Sequence, residues 1–157
     1  MNLVIAVDDP RAQDVRKLLE THLAFAREVT PEGHVHALDV DALVDPTITL
    51  VGARGDGALL GIGAIKQISD THGELKAMHT SAAARGRGVG GAILDQLLAV
   101  ARERGYRRVS LETGTMDAFA PARSLYLTRH FVPCPPFGSY TDNPYSQCMT
   151  REIDRTP

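Results

Sequence analysis

The chain has 157 residues, 43% of them hydrophobic, which suits one domain with an ordinary core across residues 1–157. Aromatics make up 5% and Trp is absent, so aliphatic packing carries that core. A net charge of −2, no basic leader in MNLVIAVDDP and no bilayer-length apolar run argue against nucleic-acid and membrane partners and against secretion, and point to the cytoplasm. Cys134 and Cys148 form no metal or redox motif and read as reduced thiols.

Leu3–Val7 reads as a short strand. Asp8-Asp9-Pro10 then reads as a helix start, a capping carboxylate ahead of a proline at the first helical position. Val15, Leu18, Leu19, His22, Leu23 and Ala26 recur at helical spacing on one stripe. Thr30-Pro31-Glu32-Gly33 ends that helix, and a second short helix is expected from His36 to Leu43. Thr47–Ala53 and Ala58–Ile68 read as strands joined at Arg54-Gly55-Asp56-Gly57, and Glu74–Thr80 as a third. The spacing of Val89, Ile93, Leu97, Leu98 and Ala101 predicts a helix to about Arg104, ended by Gly105. A strand over Arg107–Thr113, a helix over Pro121–His130, a rigid Pro/Gly connection over Phe131–Gly138 and a strand over Gln147–Ile153 complete the chain. The order β-α-α-β-β-β-α-β-α-β-β implies one mixed sheet with helices on its faces.

Arg85-Gly86-Arg87-Gly88-Val89-Gly90-Gly91 lies between a strand and a helix. The first N–H groups of a helix are unpaired and carry the positive end of its dipole, so an anion fits there. Glycines remove side chains that would hold a phosphate away from the backbone, and arginines add charge. A nucleoside-triphosphate loop needs Lys-Ser/Thr after its last glycine, but Ala92-Ile93 follows here. A dinucleotide G-x-G-x-x-G can be laid on Gly86, Gly88 and Gly91, but that motif belongs to the first βα turn of a βαβ unit. The remaining pattern, Arg-x-x-Gly-x-Gly, is met by Arg85, Gly88 and Gly90.

This last pattern resembles the pyrophosphate loop of the GCN5-related N-acetyltransferase (GNAT) superfamily. The likeness covers residues 74–131: the strand ELKAMHT, the loop, its helix, the strand RVSLET, and then ARSLYLTRHF, which is similar to the family's A-x-x-L-Y-x-x-x-G-F. The runs FAPAR from Phe119 and PCPPFGSY from Pro133 resemble a bacterial subgroup acting on small substrates. The resemblance implies an α/β (α+β) fold, with a mixed, mostly antiparallel sheet of six or seven strands flanked by about four helices. It implies acetyl-CoA as donor and no metal. A bulge in the strand Glu74–Thr80 would splay it from Arg107–Thr113. The backbone of Met78, His79 and Thr80 would pair with the pantetheine arm, and Arg85, Gly86, Arg87, Gly88, Val89, Gly90 and Gly91 would hold the pyrophosphate. The N–H near Met78 would polarise the thioester carbonyl. Tyr126 takes the family position for the acid that protonates the leaving thiolate. His79 should point to the face opposite Met78. Two positions depart from the family: Phe119 stands where many members have a cofactor-binding Asn, and His130 where a Gly usually precedes the Phe.

For the base, Glu74 is the first candidate. It lies roughly 13 Å along the strand from Met78, so a proton path would pass through a water. Glu112 sits on the opposite strand of the slot. His34, His36, Glu112 and Tyr140 are the expected acceptor contacts, in a polar and mildly acidic cluster that suits a small amine or amino acid. The expected activity is direct acetyl transfer to a primary amine in a ternary complex. A peptide amine as acceptor, and a non-catalytic acyl-CoA-binding module, stay open as alternatives. Exposed sheet edges leave a homodimer open as well.

Overall fold

In a computed structural model, which describes residues 2–36 and 39–153, tight turns and register build the sheet first. Strand β2 (Ile48–Gly55) returns as β3 (Ala58–Ser69) through Asp56 and Gly57, whose φ values of 50° and 86° both lie in the left-handed region. Two such residues give a turn whose twist matches the strands it joins. β4 (His72–Thr80) pairs antiparallel with β3, and β1 (Leu3–Val7) with β2. β5 (Arg108–Gly114), β6 (Val132–Cys134) and β7 (Ser146–Glu152) complete a seven-stranded sheet in the order β1-β2-β3-β4-β5-β7-β6. Every neighbouring pair is antiparallel except β4–β5.

Three α-helices cover the two faces. α2 (Val89–Glu103) buries Ile93, Leu94, Leu97 and Leu98 against Val51, Ile65, Leu75, Val109 and Leu111. Helix α3 (Ala120–Thr128) joins the same cluster through Tyr126. On the opposite face α1 (Gln13–Val29) buries Val15 and Leu19 against Leu50, Ile62, Ala64 and Ala77. Close approach of α2 requires Gly63, where a Cβ would lie 2.6 Å from Ile93 Cγ2 and from Met78 Sδ.

Local chemistry moved three expected boundaries. Asp9 does not cap a helix at Pro10. Its carboxylate accepts the Arg11 N–H at 2.8 Å in a turn, and α1 starts at Gln13. No helix runs from His36 to Leu43 among the described residues, and Ala37 and Leu38 lie outside them. Asp39 accepts the Ala42 N–H at 2.9 Å ahead of a 3₁₀ turn, Ala42–Val44, so the α-helices number three among the described residues. The Pro/Gly connection begins with strand β6, which tolerates Pro133 because it is the sheet's edge.

His130 closes α3 with φ 68°. Its N–H donates to the Leu127 carbonyl at 3.1 Å, and the Phe131 N–H to that of Tyr126 at 3.1 Å. This is the Schellman pattern, made by a residue other than glycine. It directs Phe131 into the core, where its ring meets Tyr126 edge-on with centroids 5.9 Å apart.

Candidate active site

The site opens where β4 and β5 part. Their parallel ladder covers only His72–Glu74 against Arg108–Ser110, although β4 runs on to Thr80 and β5 to Gly114. The β3–β4 register explains the parting. Ala64 pairs with Lys76 but Ile62 pairs with His79, so β4 carries an extra residue there. Ala77 takes it up with φ 55°. A bulge bends its strand and frees backbone groups from the ladder.

The bulge also resets which side chains share a face. Strict alternation would separate Glu74 from His79. Here Ala77 joins the α1-side cluster, Met78 packs with the α2-side cluster, and His79 reaches His22 and Phe25 of α1. Glu74, Lys76 and His79 therefore face α1 together, and Met78 faces the other way.

A groove of about 600 Å³ runs along the free edge of β4. One end is the loop before α2. Gly88 takes φ 80° ahead of Val89, and the first backbone bond into the helix runs from Ala92 N to the Gly88 carbonyl at 3.1 Å. The N–H groups of Val89, Gly90 and Gly91 precede that bond and have no intrahelical partner. Gly86 and Gly88 both have left-handed φ and open space where a Cβ would stand. Met78, His79, Thr80, Arg85, Gly86, Gly88, Val89, Gly90 and Gly91 all line the groove, whereas Arg87 stands outside its wall. The opposite wall is apolar, from Phe119, Pro121, Ala122 and Leu125. Phe119 packs at a tilt against Phe25 with centroids 5.4 Å apart, and so presents an apolar ring where an Asn would present an amide. Unpaired amides along a strand edge and a helix start free of side chains suit a ligand with an amide-bearing arm and a phosphate end.

A second, smaller cavity of about 110 Å³ lies toward α1. His34, His36, Glu112 and Tyr140 line it, together with Lys76, His22 and Tyr145, which sequence reasoning missed. Lys76 had one signal, since it shares a face with Glu74 two residues earlier. His22 had none beyond its place in the α1 stripe. Ring contacts join residues of its wall: His34 lies 4.8 Å from Tyr145 and His36 5.1 Å from Tyr140, centroid to centroid. The two cavities share His22, Ala26, Met78, Phe119, Ala122 and Tyr126, so they meet at Met78 and Tyr126.

Glu74 does not line either cavity. It is buried behind Tyr140 and Lys76, accepting the Tyr140 hydroxyl at 2.5 Å with Lys76 Nζ at 3.2 Å. The first candidate for the base is thus held by two side chains that stand between it and the cavity. Glu112 faces the cavity directly, with Ser146 Oγ donating to it at 3.1 Å. Burial raises its carboxyl above the ordinary range, against the pull of His36, Ser146 and Lys76. Burial, and then the charge of Glu112, raises the Tyr126 phenol, so it stays protonated. Burial raises the Tyr140 phenol too, with Glu74 adding to the effect. Among the described residues no group of three or more His, Cys, Asp and Glu side chains could hold a metal ion, and no helix is long and apolar enough to cross a membrane.

Known proteins carry the same pattern. The profile of the Acetyltransferase (GNAT) family matches residues 15–131. The chain is 39% identical to YsnE of Bacillus subtilis (strain 168), named an uncharacterized N-acetyltransferase, over 95% of this chain and 99% of that protein. It is also 39% identical to YedL of Escherichia coli (strain K12), likewise named, over 93% of this chain and 92% of that one. A GNAT family acetyltransferase from Elizabethkingia anophelis, solved with acetyl-CoA bound, superposes with a TM-score of 0.71 at 15% identity, covering 97% of this chain and 99% of its own. With a β4–β5 slot, a glycine loop at its end and sequence relatives along nearly its whole length, the chain belongs to the GNAT family of acetyltransferases.

Proposed function

We propose that the protein transfers the acetyl group of acetyl-CoA directly to the primary amine of a small molecule or amino acid, within a ternary complex. The observation that carries this is the meeting of the long groove and the small cavity at Met78 and Tyr126. Two reactants entering from opposite sides come together there without a covalent enzyme intermediate. Cys148, the buried thiol, is raised to about 11 by burial and lines neither cavity, so it is no acyl carrier.

The groove residues fit acetyl-CoA, which supplies the activated acyl group when bound. The loop Arg85–Gly91 offers N–H groups and Arg85 to the pyrophosphate, and the free edge of β4 offers backbone partners to the pantetheine arm. The backbone N–H at Met78 polarises the thioester carbonyl. Glu112 takes the proton that the ammonium must lose before its nitrogen can attack; the geometry favours it over Glu74 because only Glu112 faces the cavity. A carboxyl raised by burial is a better base near neutral pH. As the N–C bond forms and the C–S bond breaks, Tyr126 gives its proton to the departing sulfur. The nitrogen gives up a second proton as the amide forms, which restores the phenol, and the proton held by Glu112 leaves to water.

The test is a screen of amines for acetyl-CoA-dependent release of CoA. Turnover of a small amine or amino acid with a linear double-reciprocal pattern that intersects supports direct transfer. Parallel lines, or no turnover with tight acetyl-CoA binding, would reject it in favour of a covalent route or a binding module.

A further inference from the structure

Among the described residues lining the small cavity, Lys76 is the one lysine or arginine and Glu112 the one carboxylate. They stand on β4 and β5, the two strands that diverge around the site. We propose that the acceptor is an α-amino acid, with its carboxylate held by Lys76 and its amine facing Glu112. This rests on the acetyl-transfer function above and narrows its acceptor.

Burying an ammonium is costly unless partners compensate, and a methionine or leucine would fill the same space without that cost. Lys76 nonetheless stands in the cavity wall with its side chain only 11% exposed. Two contacts hold it: Nζ donates to the Tyr140 hydroxyl oxygen at 2.9 Å and lies 3.2 Å from Glu74 Oε2. Tyr140 in turn donates to Glu74, so the three groups fix one another. An ammonium has three donors, and a third is left for a ligand. Glu74 thereby acts as a positioning residue: together with Tyr140 it orients the Lys76 Nζ from behind.

The charge pattern selects among amines. A zwitterion places its negative end at Lys76 and its positive end at Glu112. A polyamine brings a further cation toward Lys76 and nothing to satisfy it. A peptide N-terminus replaces the carboxylate by a neutral amide.

The experiment compares CoA release from acetyl-CoA with the twenty amino acids and with their α-amides. The acid is expected to exceed its amide about tenfold or more in kcat/KM, the scale of a charge-assisted hydrogen bond. The double variant Lys76→Met/Glu74→Gln removes both charges, so neither is left buried alone. It should lose the preference through KM while its circular dichroism stays unchanged. In parallel, calorimetry on the CoA-loaded protein uses N-acetylalanine, N-acetylglutamate, N-acetylphenylalanine and their α-amides. Amides or polyamines turned over as well as amino acids would overturn the carboxylate site and leave acetyl transfer standing. No turnover of any amine, with Lys76-dependent binding of an N-acetylamino acid, would overturn transfer and leave the carboxylate site standing. No turnover and no such binding would overturn both.

Discussion

The Nδ1 atoms of His22 on α1 and His79 on β4 lie 3.0 Å apart, so a single proton serves the two nitrogens. One ring donates and the other accepts. A second proton would set two positive rings edge-on with centroids 5.0 Å apart. Burial, and then the neighbouring ring, lowers His22 to about 4, and burial with the charge of Arg85 lowers His79.

This pair makes stability fall in mild acid. An unfolded histidine takes its proton near 6.5, whereas His22 resists it down to about 4. Between those values the unfolded state binds more protons, so unfolding becomes easier as pH drops, by about 1.4 kcal/mol per unit for one such group. Urea midpoints measured from pH 7.5 to 5.0 should decline. His22→Gln, which keeps a donor and an acceptor but does not titrate, should flatten the decline. An equal slope in the variant would assign the acid sensitivity elsewhere.

His130→Gly should stabilise the protein by about 1 kcal/mol, the cost of a left-handed residue with a Cβ. For a chain of this size that is about 3 °C in the thermal midpoint. Calorimetry that shows no rise would mean the wild-type cap is unstrained.

That cap shows where the sequence was legible. The departure from glycine at His130 could be read only against the family pattern that the chain resembles. The helix Val89–Glu103 and the strands β2 to β5 were legible too, through glycine punctuation and aliphatic spacing. Asp9 and Asp39 misled because a short carboxylate bonds a nearby N–H in a turn as readily as at a helix start. The site residues divided by sequence distance. One side of the groove is local, a strand and the loop that follows it, whereas the residues of α1 and of 118–125 that face it lie far along the chain and were not read as part of it. The links Tyr140–Glu74 and His22–His79 join residues 66 and 57 positions apart, and no local pattern announces such meetings. The bulge at Ala77 also broke the alternation on which any assignment of faces rests.

Tyr126→Phe should lower kcat about a hundredfold with little change in affinity for CoA. The phenyl ring keeps its seat against Phe131 and loses only the proton donor. Because burial holds the phenol protonated, the wild-type rate should not fall on the alkaline side below pH 10. Equal turnover in the variant across pH would remove the proposed acid.

Glu112→Gln should separate activity from stability. A carboxyl raised in the folded state favours folding at low pH, and that contribution is lost as pH rises through the raised value. Near pH 7 the charged form is a burden, which glutamine lifts while still accepting from Ser146. The expected result is an unfolding midpoint at pH 7 equal to or above wild type, with turnover down about a hundredfold. A lower midpoint would show that the charge is stabilising.

Tyr106→Phe gives a control away from the site. The Tyr106 hydroxyl is buried with no hydrogen-bond partner among the described residues, and its ring packs where a Cβ on Gly73 would lie 2.8 Å away. Removing an unsatisfied hydroxyl should leave stability unchanged or raise it by about 1 kcal/mol, with activity intact. A clear loss in the denaturation midpoint would mean the hydroxyl is satisfied in solution.

The short β4–β5 ladder can be seen as a crack that starts at one rim of the sheet and stops at its centre. A crack concentrates load at its tip, here Glu74 and Ser110. Crosswise side-chain bonds lie at that tip. His72 Nε2 is 2.7 Å from Ser110 Oγ, which is 2.8 Å from Thr150 Oγ1, so β4, β5 and β7 are stitched together in one line. A sheet that splits to admit a reactant must also keep the split from running, and this row of three small polar groups is placed to arrest it.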